Sequence, residues 1–557
     1  MIGRIRTRGK RINFRALSPR LVILVPFLVG VIAWWLYSQV IQPQPIYINA
    51  DPEVAYFLSS LSVFKGSSYT FVDHPGTPVE IIGTLILGMT YPFVGDFGNS
   101  FTLSLIAHPE SFLLIVRSLL TFASICTMIL LTRYAVAGKH WTDELAAVAV
   151  AVLFFGIHPG AFDSIVHWSH NSFSFPVGAL LGLWMVLLVV DKKTKSMRQI
   201  AIFGFCLGIL AAIQIYFATW IVGAVTALLT YFVLDRQGLK IGLMSSLSIT
   251  LAAMAGFFFS TLPIVARYKE FFSWIVRVAS HQGRHGSGLP GLISVKTATA
   301  NLLTLWKDLP LLFVSIGAVV ALIGIMALRQ RISMRSNPGV WAIVLGLTLQ
   351  IGTMCVLVIK HPGIIYMQAV AAIFPLLLAG AISLMRISIP KMIIAQRLIK
   401  FGLSIGIFFL FGVALVRAIY NHNIETRQVE FVVEDINIFI DDLALELGRD
   451  RKSINTLWVY GMPSDCTALW YGNQYADNVF TEEISSICPR DLYFNLWENN
   501  VGSADGTSVP VDQSNWDIIV LNEAALIDFP ELTTLGRVAE LEARLGTFGK
   551  VVYLLPW

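Results

Sequence analysis

Tyr47-Ile48-Asn49-Ala50-Asp51-Pro52-Glu53 follows an apolar run that extends from Leu21 to Ile41. Such a run is long enough to cross a bilayer, whose hydrocarbon core takes about 20 apolar helical residues. The heptapeptide after it carries two carboxylates and no Lys or Arg. Asp51 and Glu53 are therefore expected in a loop just outside the first span, in reach of water and of a lipid headgroup. A carboxylate so placed is a candidate general base for a substrate held at the membrane surface. The plain alternative is a pair of solvated loop acids.

Composition sets the broad class. Apolar residues make up 55% of 557 positions and charged residues 13%, with a mean hydropathy of +0.69. Several apolar runs reach spanning length, so the chain reads as a polytopic α-helical membrane protein. The formal charge is only +5, and the basic residues lie in short clusters beside apolar runs. Nucleic-acid binding has no support in that pattern, and the clusters read as topology signals.

Eleven spans are expected, roughly 21–40, 111–136, 144–160, 172–190, 199–213, 217–234, 241–265, 311–328, 339–359, 364–385 and 401–420. Residues 1–20 carry seven Lys or Arg and no cleavable signal pattern, which suits a cytoplasmic N-terminus and an uncleaved anchor. Connections such as 191–198, with Lys192, Lys193, Lys195 and Arg198, then fall inside. The connection 41–110, with only Lys65, falls outside. Within it, Val79 to Val94 is apolar between Pro78 and Gly95, and is read as a helix lying in the interface. The outer region 266–310 breaks the charge rule with Arg267, Lys269, Arg277, Arg284, Lys296 and Lys307. An anionic ligand is one reason for cations there.

Residues 21–423 thus form a membrane domain with long outer loops at 41–110 and 266–310, and 424–557 form a separate unit. From Ile424 polar residues become frequent. Val429, Val432, Val433, Ile436, Phe439, Ile440 and Leu443 recur at helical spacing, and β-rich runs follow at Thr456–Tyr460, Trp516–Leu521 and Lys550–Leu555. This is a small α/β domain, and an odd number of spans puts it outside. Cys466 and Cys488 both lie in it, where oxidising conditions favour a disulfide, although spacing alone does not show that the geometry fits. Cys126, Cys206 and Cys355 fall within spans.

The order of short motifs along this topology resembles the membrane glycosyltransferases of the GT-C fold, especially the protein mannosyltransferase and aminoarabinose transferase group. The residues that carry the resemblance are Asp51-Pro52-Glu53-Val54-Ala55-Tyr56, then Asp73-His74-Pro75-Gly76-Thr77-Pro78, Arg117 early in the second span, and Lys360-His361-Pro362-Gly363 with Tyr366. They cover roughly residues 20–420. Pro52 interrupts the family's acidic dipeptide, and Gly76 stands in place of a second Pro. Gly363-Ile364-Ile365 precedes Tyr366 where the family often has Arg.

The resemblance implies transfer of a sugar from a polyprenyl-phosphate donor to a hydroxyl of a glycan, lipid or protein acceptor at the outer face of the plasma membrane. The partners implied are that donor, that acceptor and the surrounding lipids. Such chemistry needs a carboxylate to take the acceptor proton and cations to stabilise the departing phosphate. Asp51 is the candidate base, with Glu53 and Asp163 as further acidic candidates. His74, Arg284, Lys360, His361 and Tyr366 are candidates for the donor phosphate. His74 before Pro75 would equally cap a helix, and Lys360 and His361 would equally snorkel to the interface. Arg284 and His285 lie in His281-Gln282-Gly283-Arg284-His285-Gly286-Ser287-Gly288, an electropositive glycine-rich loop suited to an anionic headgroup or simply an ordinary surface loop.

Asp73, His167, His170, Trp168 and His285 are candidates for substrate contact. If residues 163–170 are helical, Asp163, His167 and His170 share one face. That spacing suits a divalent cation, but no fourth ligand is evident, so no cofactor is assigned and a polar wall is the preferred reading. Trp168 suits a sugar ring or an interfacial anchor. The competing function is a transporter or flippase of a lipid-linked or anionic glycan. Transporters tend to carry paired repeats and charges at mid-membrane, whereas here the titratable residues gather at the outer face.

Overall fold

The computed structural model describes residues 31, 34–35, 46–72, 76–93, 99–137, 167–190, 196–281, 290–291, 294–328, 334, 337–360, 364–367, parts of 369–384, 434–458, 465–488, 492–495, 500–502, 508–509, 516–522, 537–544 and 550–555. Statements of absence refer to these residues.

The membrane part is a helical bundle. A 3-10 turn at Ile46–Asn49 leads into α1 (Ala50–Ser62), with Pro52 in its first turn, where a missing N–H is harmless. After a turn closed by Gly66 come α2 (Thr77–Thr90), α3 (Asn99–Ala107) and α4 (Pro109–Ala137). The bundle continues with α5 (His170–Val190), α6 (Met197–Ile213), α7 (Thr219–Leu234) and α8 (Leu239–Thr261). Then follow α9 (Tyr268–Ser280), α10 (Val295–Asp308), α11 (Pro310–Leu328) and α12 (Pro338–Val358).

Among the described residues five helical stretches are long and apolar enough to cross a membrane: Pro109–Thr127, His170–Val189, Ile215–Leu234, Leu239–Ser280 and Pro338–Val358. A sixth is present if α10 and α11, bent by 101°, count as one. The predicted spans 144–160 and 401–420 lie outside the described residues, and α6 matches the predicted 199–213 as a shorter apolar helix. Helices pack where small residues let backbones approach. A Cβ on Gly208 of α6 would lie 2.0 Å from the Ala253 carbonyl of α8, and one on Gly346 of α12 would lie 2.6 Å from the Gly223 carbonyl of α7. Close backbone contact of this kind takes the place of a hydrophobic driving force between spans in lipid.

One expectation needs correction. Asp51 and Glu53 are not in a loop: both belong to the first turn of α1. The predicted span 241–265 is matched by α8, which passes through a 3-10 turn at Leu262–Arg267 and continues as α9, a 42-residue stretch in all. Pro263 accounts for the kink, since it removes one helical hydrogen bond. Most of 266–310 is accordingly helical, with α9 burying Phe271 and Trp274 and α10 capped by Ser294, whose hydroxyl accepts from the Thr297 N–H. The segment 79–94 is largely α2, 14 residues counted from Thr77, too short to span.

The C-terminal unit carries a seven-stranded mixed sheet. Its strands are β1 (Thr456–Trp458), β2 (Leu492–Asn495), β3 (Asn500–Gly502), β4 (Ser508–Val509), β5 (Ile518–Asn522), β6 (Arg537–Arg544) and β7 (Lys550–Leu555), in the order β4-β3-β2-β1-β5-β7-β6. β1 runs parallel to β2 and β5, and the other pairs are antiparallel. Ahead of the sheet lies a helix, α13 (434–446), that buries Ile436, Ile440 and Ala444 at four-residue spacing. Two more helices, α14 (Asp465–Gln474) and α15 (Thr481–Ile487), follow β1. The Cys466–Cys488 disulfide is formed, with Cα atoms 5.5 Å apart, and ties the start of α14 to the end of α15.

α14 lies against α1. A Cβ on Gly472 would meet Val54 at 2.7 Å, and Asp465 Oδ1 accepts from the Ile46 N–H at 2.7 Å. Burial raises the Asp465 carboxyl, while the Ile46 and Tyr47 N–H groups pull it the other way. Lys65 pairs with Glu483, and the Thr70 hydroxyl donates to the Tyr475 carbonyl. The C-terminal unit is therefore seated on the segment that carries Asp51.

Candidate active site

α1 presents successive residues to different neighbours. Glu53 is 1% exposed and meets Arg117 of α4, itself 2% exposed. Arg117 Nε donates to Oε1 at 2.8 Å and Nη2 to Oε2 at 2.5 Å, while the Trp168 backbone N–H donates to Oε1 at 2.9 Å. Burial alone would raise this carboxyl. The Arg117 charge and hydrogen bonds, with help from His167 and the Trp168 N–H, outweigh it and hold the group below the usual carboxylate range. The solvated reading of Glu53 is thus overturned, and a base role is disfavoured, because both oxygens already serve a guanidinium.

Tyr56, one turn on, donates or accepts a hydrogen bond with His170 Nδ1 at 3.1 Å. Its ring packs edge-on against Phe71 and parallel to Trp168 at 6.2 Å. Gly76 comes next to it: φ is +57°, and a Cβ there would sit 2.7 Å from the Tyr56 ring. The Gly that departs from the family's Pro thus fits a left-handed N-cap of α2 that only a bare backbone can bring this close to Tyr56.

Trp168 has no exposed surface. It is enclosed by Tyr56, by Phe112 at 6.0 Å and by Gly83 of α2, where a Cβ would fall 2.4 Å from the indole. It has no free face for a sugar ring, and its role is to hold α2, α4 and the Glu53 bond together. His167 and His170 do not share a helical turn. The helix begins only at His170, because Ser169 caps it: Ser169 Oγ accepts from the Ser172 N–H, and the Ser172 hydroxyl donates to the His167 carbonyl. His167 and His170 are both buried, and Asp163 lies outside the described residues. Among the described residues no cluster of three His, Cys, Asp or Glu could hold a metal ion.

Lys360 is engaged by backbone carbonyls. Its Nζ donates to the carbonyls of Val278, Ala279 and His281 at 2.8, 3.0 and 2.6 Å, which occupies all three N–H groups at the C-terminal end of α9. The same neck is closed by the His281–Pro290 bridge and by the Gly291 N–H donating to the Ser280 carbonyl at 2.6 Å. Lys360 thus fixes the near end of the stretch that contains Arg284 and His285, and the backbone contacts of Pro290 and Gly291 tie the far end to it. Those two residues, with Asp73, His74 and His361, lie outside the described residues, as does the Asp51 side chain. Tyr366 sits in a 3-10 turn with its ring edge-on to Tyr216 at 5.5 Å. Arg267, one of the outer cations, is a strut: it donates to the Thr70 carbonyl at 2.6 Å and pairs with Glu270 and Asp477.

One acid escaped the sequence reading. Glu80 in α2 has no exposed surface, Oε1 accepts from the Ser59 hydroxyl, and Oε2 has no hydrogen-bond partner. Burial pushes its carboxyl up to about 8. The signal was present as a lone carboxylate inside the apolar stretch Val79–Val94.

The chain as a whole is similar to the crystal structure of ArnT from Cupriavidus metallidurans bound to undecaprenyl phosphate. The similarity covers 96% of this chain and 97% of that one, with 12% identity and a TM-score of 0.47. ArnT falls in the transferase group that the sequence motifs resemble. The likeness concerns the overall backbone path and does not bear on substrate. No family model and no curated relative matches.

Proposed function

We propose that this membrane protein is a glycosyltransferase that moves a sugar from a polyprenyl-phosphate donor to an acceptor hydroxyl at the outer face of the plasma membrane. The observation that carries the reading is the bracing of α1. A helix bearing Asp51 in its first turn is locked through Glu53 to Arg117 of the membrane helix α4, and through Tyr56 to His170. Holding a base rigidly at a membrane surface suits attack by a hydroxyl on a carbon whose phosphate leaves.

In this reading Asp51 accepts the acceptor proton as its oxygen attacks the anomeric carbon. The donor phosphate leaves toward His74 and the Arg284 stretch, with Tyr366 as a further contact. Lys360 contributes by fixing the α9 end of that stretch. The C-terminal unit, exported and seated on α1, shapes acceptor access without supplying catalytic groups.

Transfer of labelled sugar from polyprenyl-phosphate sugars to a panel of acceptors, with protein in detergent, tests the reading. Label retained on the lipid with every donor and acceptor, under conditions where the protein is folded, would overturn it. Translocation of the same lipid in vesicles without any transfer would favour the transporter instead.

A further inference from the structure

Glu80 is the buried acid that the proposed reaction does not use. It lies at the start of a helix whose other side chains are apolar or hydroxyl-bearing. Its Oε2 is buried with no hydrogen-bond partner, so an ion there would lose hydration and regain little. The neutral acid loses far less. Burial accordingly lifts the carboxyl to about 8, against the partial opposition of the Ser59 and Phe71 hydrogen bonds and the Arg267 charge. Arg267 and Tyr69 are the charged or titratable groups that act on it among the described residues.

Glu80 and Ser59 form a hub. Ser59 Oγ accepts from the Thr70 N–H at 3.0 Å and from the Phe71 N–H at 3.3 Å. Ser60 Oγ donates to the Glu80 carbonyl at 3.0 Å. Thr70, so held, accepts from Arg267 at the end of the 3-10 turn between α8 and α9 and donates to Tyr475 of the C-terminal unit. Asp73-His74-Pro75-Gly76 follows at once in the chain, and Gly76 opens α2 only four residues before Glu80. The far end of that motif is held separately, the Gly76 carbonyl accepting from the Glu80 backbone N–H at 3.2 Å.

We propose that Glu80 is a positioning residue that works as a buried neutral acid, clamping residues 70–72 to α1 and α2 with Ser59 and so supporting donor binding. The proposal rests on the functional reading above. Ionisation of Glu80 would place a charge on an unpartnered oxygen and loosen the clamp. The sign follows from linkage. Below about pH 4.5 both folded and unfolded chains hold the proton. As pH rises toward 8 the unfolded chain ionises first, so the share of stability tied to Glu80 falls across that window.

The test uses the full chain in lipid nanodiscs as wild type, Glu80→Gln and Glu80→Ala, with undecaprenyl phosphate as the probe. Thermal unfolding and probe binding are followed from about pH 5 to pH 9. Glu80→Gln keeps the shape and is neutral throughout. It should lack part of the wild-type loss of stability with rising pH, and bind the probe within roughly threefold of wild type at pH 7 and more tightly than wild type at pH 9. Glu80→Ala should bind roughly tenfold more weakly at pH 7. Should Glu80→Ala fail to fold, Ser59→Ala, which removes the same hydrogen bond, takes its place. A wild-type pH profile in Glu80→Gln would overturn the proton-bearing role. Wild-type binding in the truncated variant would overturn the positioning role. Absence of probe binding by the wild type at any pH would remove the functional reading and the positioning role with it, while the unfolding profiles would still decide whether Glu80 carries the proton.

Discussion

Arg117 holds Glu53 by a fork of two hydrogen bonds, Nε to Oε1 and Nη2 to Oε2, at a point where neither side chain reaches solvent. The fork joins α1, outside the spans, to α4 within them, and the Trp168 N–H adds the segment before α5. The first turn of α1 is thereby set relative to the bundle by charge-assisted bonds with little freedom to rotate. Removing one member leaves the other charged and buried, which typically costs about 3–5 kcal/mol. Arg117→Ala should lower the unfolding midpoint sharply, and Glu53→Gln somewhat less, because the amide keeps one acceptor. Thermal unfolding in detergent checks this, and a variant as stable as wild type would show that the fork is dispensable. The pH sign is opposite to that of Glu80. The Glu53 carboxyl is held low, so its contribution is present above the ordinary carboxylate range and disappears as pH falls through the folded value.

Asp51→Asn should leave folding and donor binding intact and nearly abolish transfer. The amide keeps the shape and cannot take a proton, and general-base catalysis is typically worth about 100- to 10,000-fold. Single-turnover transfer with saturating donor is the measurement. Turnover within about threefold of wild type would remove Asp51 from the base role and direct attention to Asp163.

The sequence made some of this visible and hid the rest for physical reasons. Spans such as 172–190 and 339–359 were legible because lipid demands a long apolar run, and hydropathy reports that demand directly. The strands around Thr456, Ile518 and Lys550 showed through their β-branched residues, whereas the two-residue β4 leaves no pattern to read. The contacts of Trp168 and Lys360 were not legible because they depend on what lies opposite in space. A Trp beside two His suits a sugar or a core equally well, and only Gly83, Tyr56 and Phe112 around it decide for the core. Lys360 is separated from the carbonyls it binds by some 80 positions, and no local pattern announces such a cap.

Gly76→Ala should be disruptive out of proportion to its size. The added methyl would meet the Tyr56 ring at 2.7 Å, and the residue would have to keep φ at +57°. A left-handed conformation alone costs a non-glycine residue about 1–2 kcal/mol. Gly66→Ala is the control, since φ is +79° there with nothing within 4 Å of the Cβ. Gly66→Ala should lose only the backbone share of stability and keep activity, and Gly76→Ala should lose more stability and activity as well. Equal effects of the two would show that Tyr56 gives way freely.

The Cys466–Cys488 disulfide should serve the seating of α14 on α1 more than the sheet. The bridge joins residues 22 apart, and closing a loop of that size in the unfolded chain is worth about 3 kcal/mol. Cys466 is neighbour to Asp465, which accepts from the Ile46 N–H, so loss of the bridge frees the end of α14 that holds the turn leading into α1. Cys466→Ser with Cys488→Ser should therefore lower stability and weaken acceptor use, while donor binding stays within about twofold. The comparison requires donor titration and acceptor titration on the same preparations, with and without reductant. Reductant should move the wild type toward the double variant and leave the variant unchanged. A fall in donor binding equal to the fall in acceptor use would show that the bridge supports the whole outer end of the bundle. An unchanged acceptor profile would show that the contact between α14 and α1 does not govern access at all.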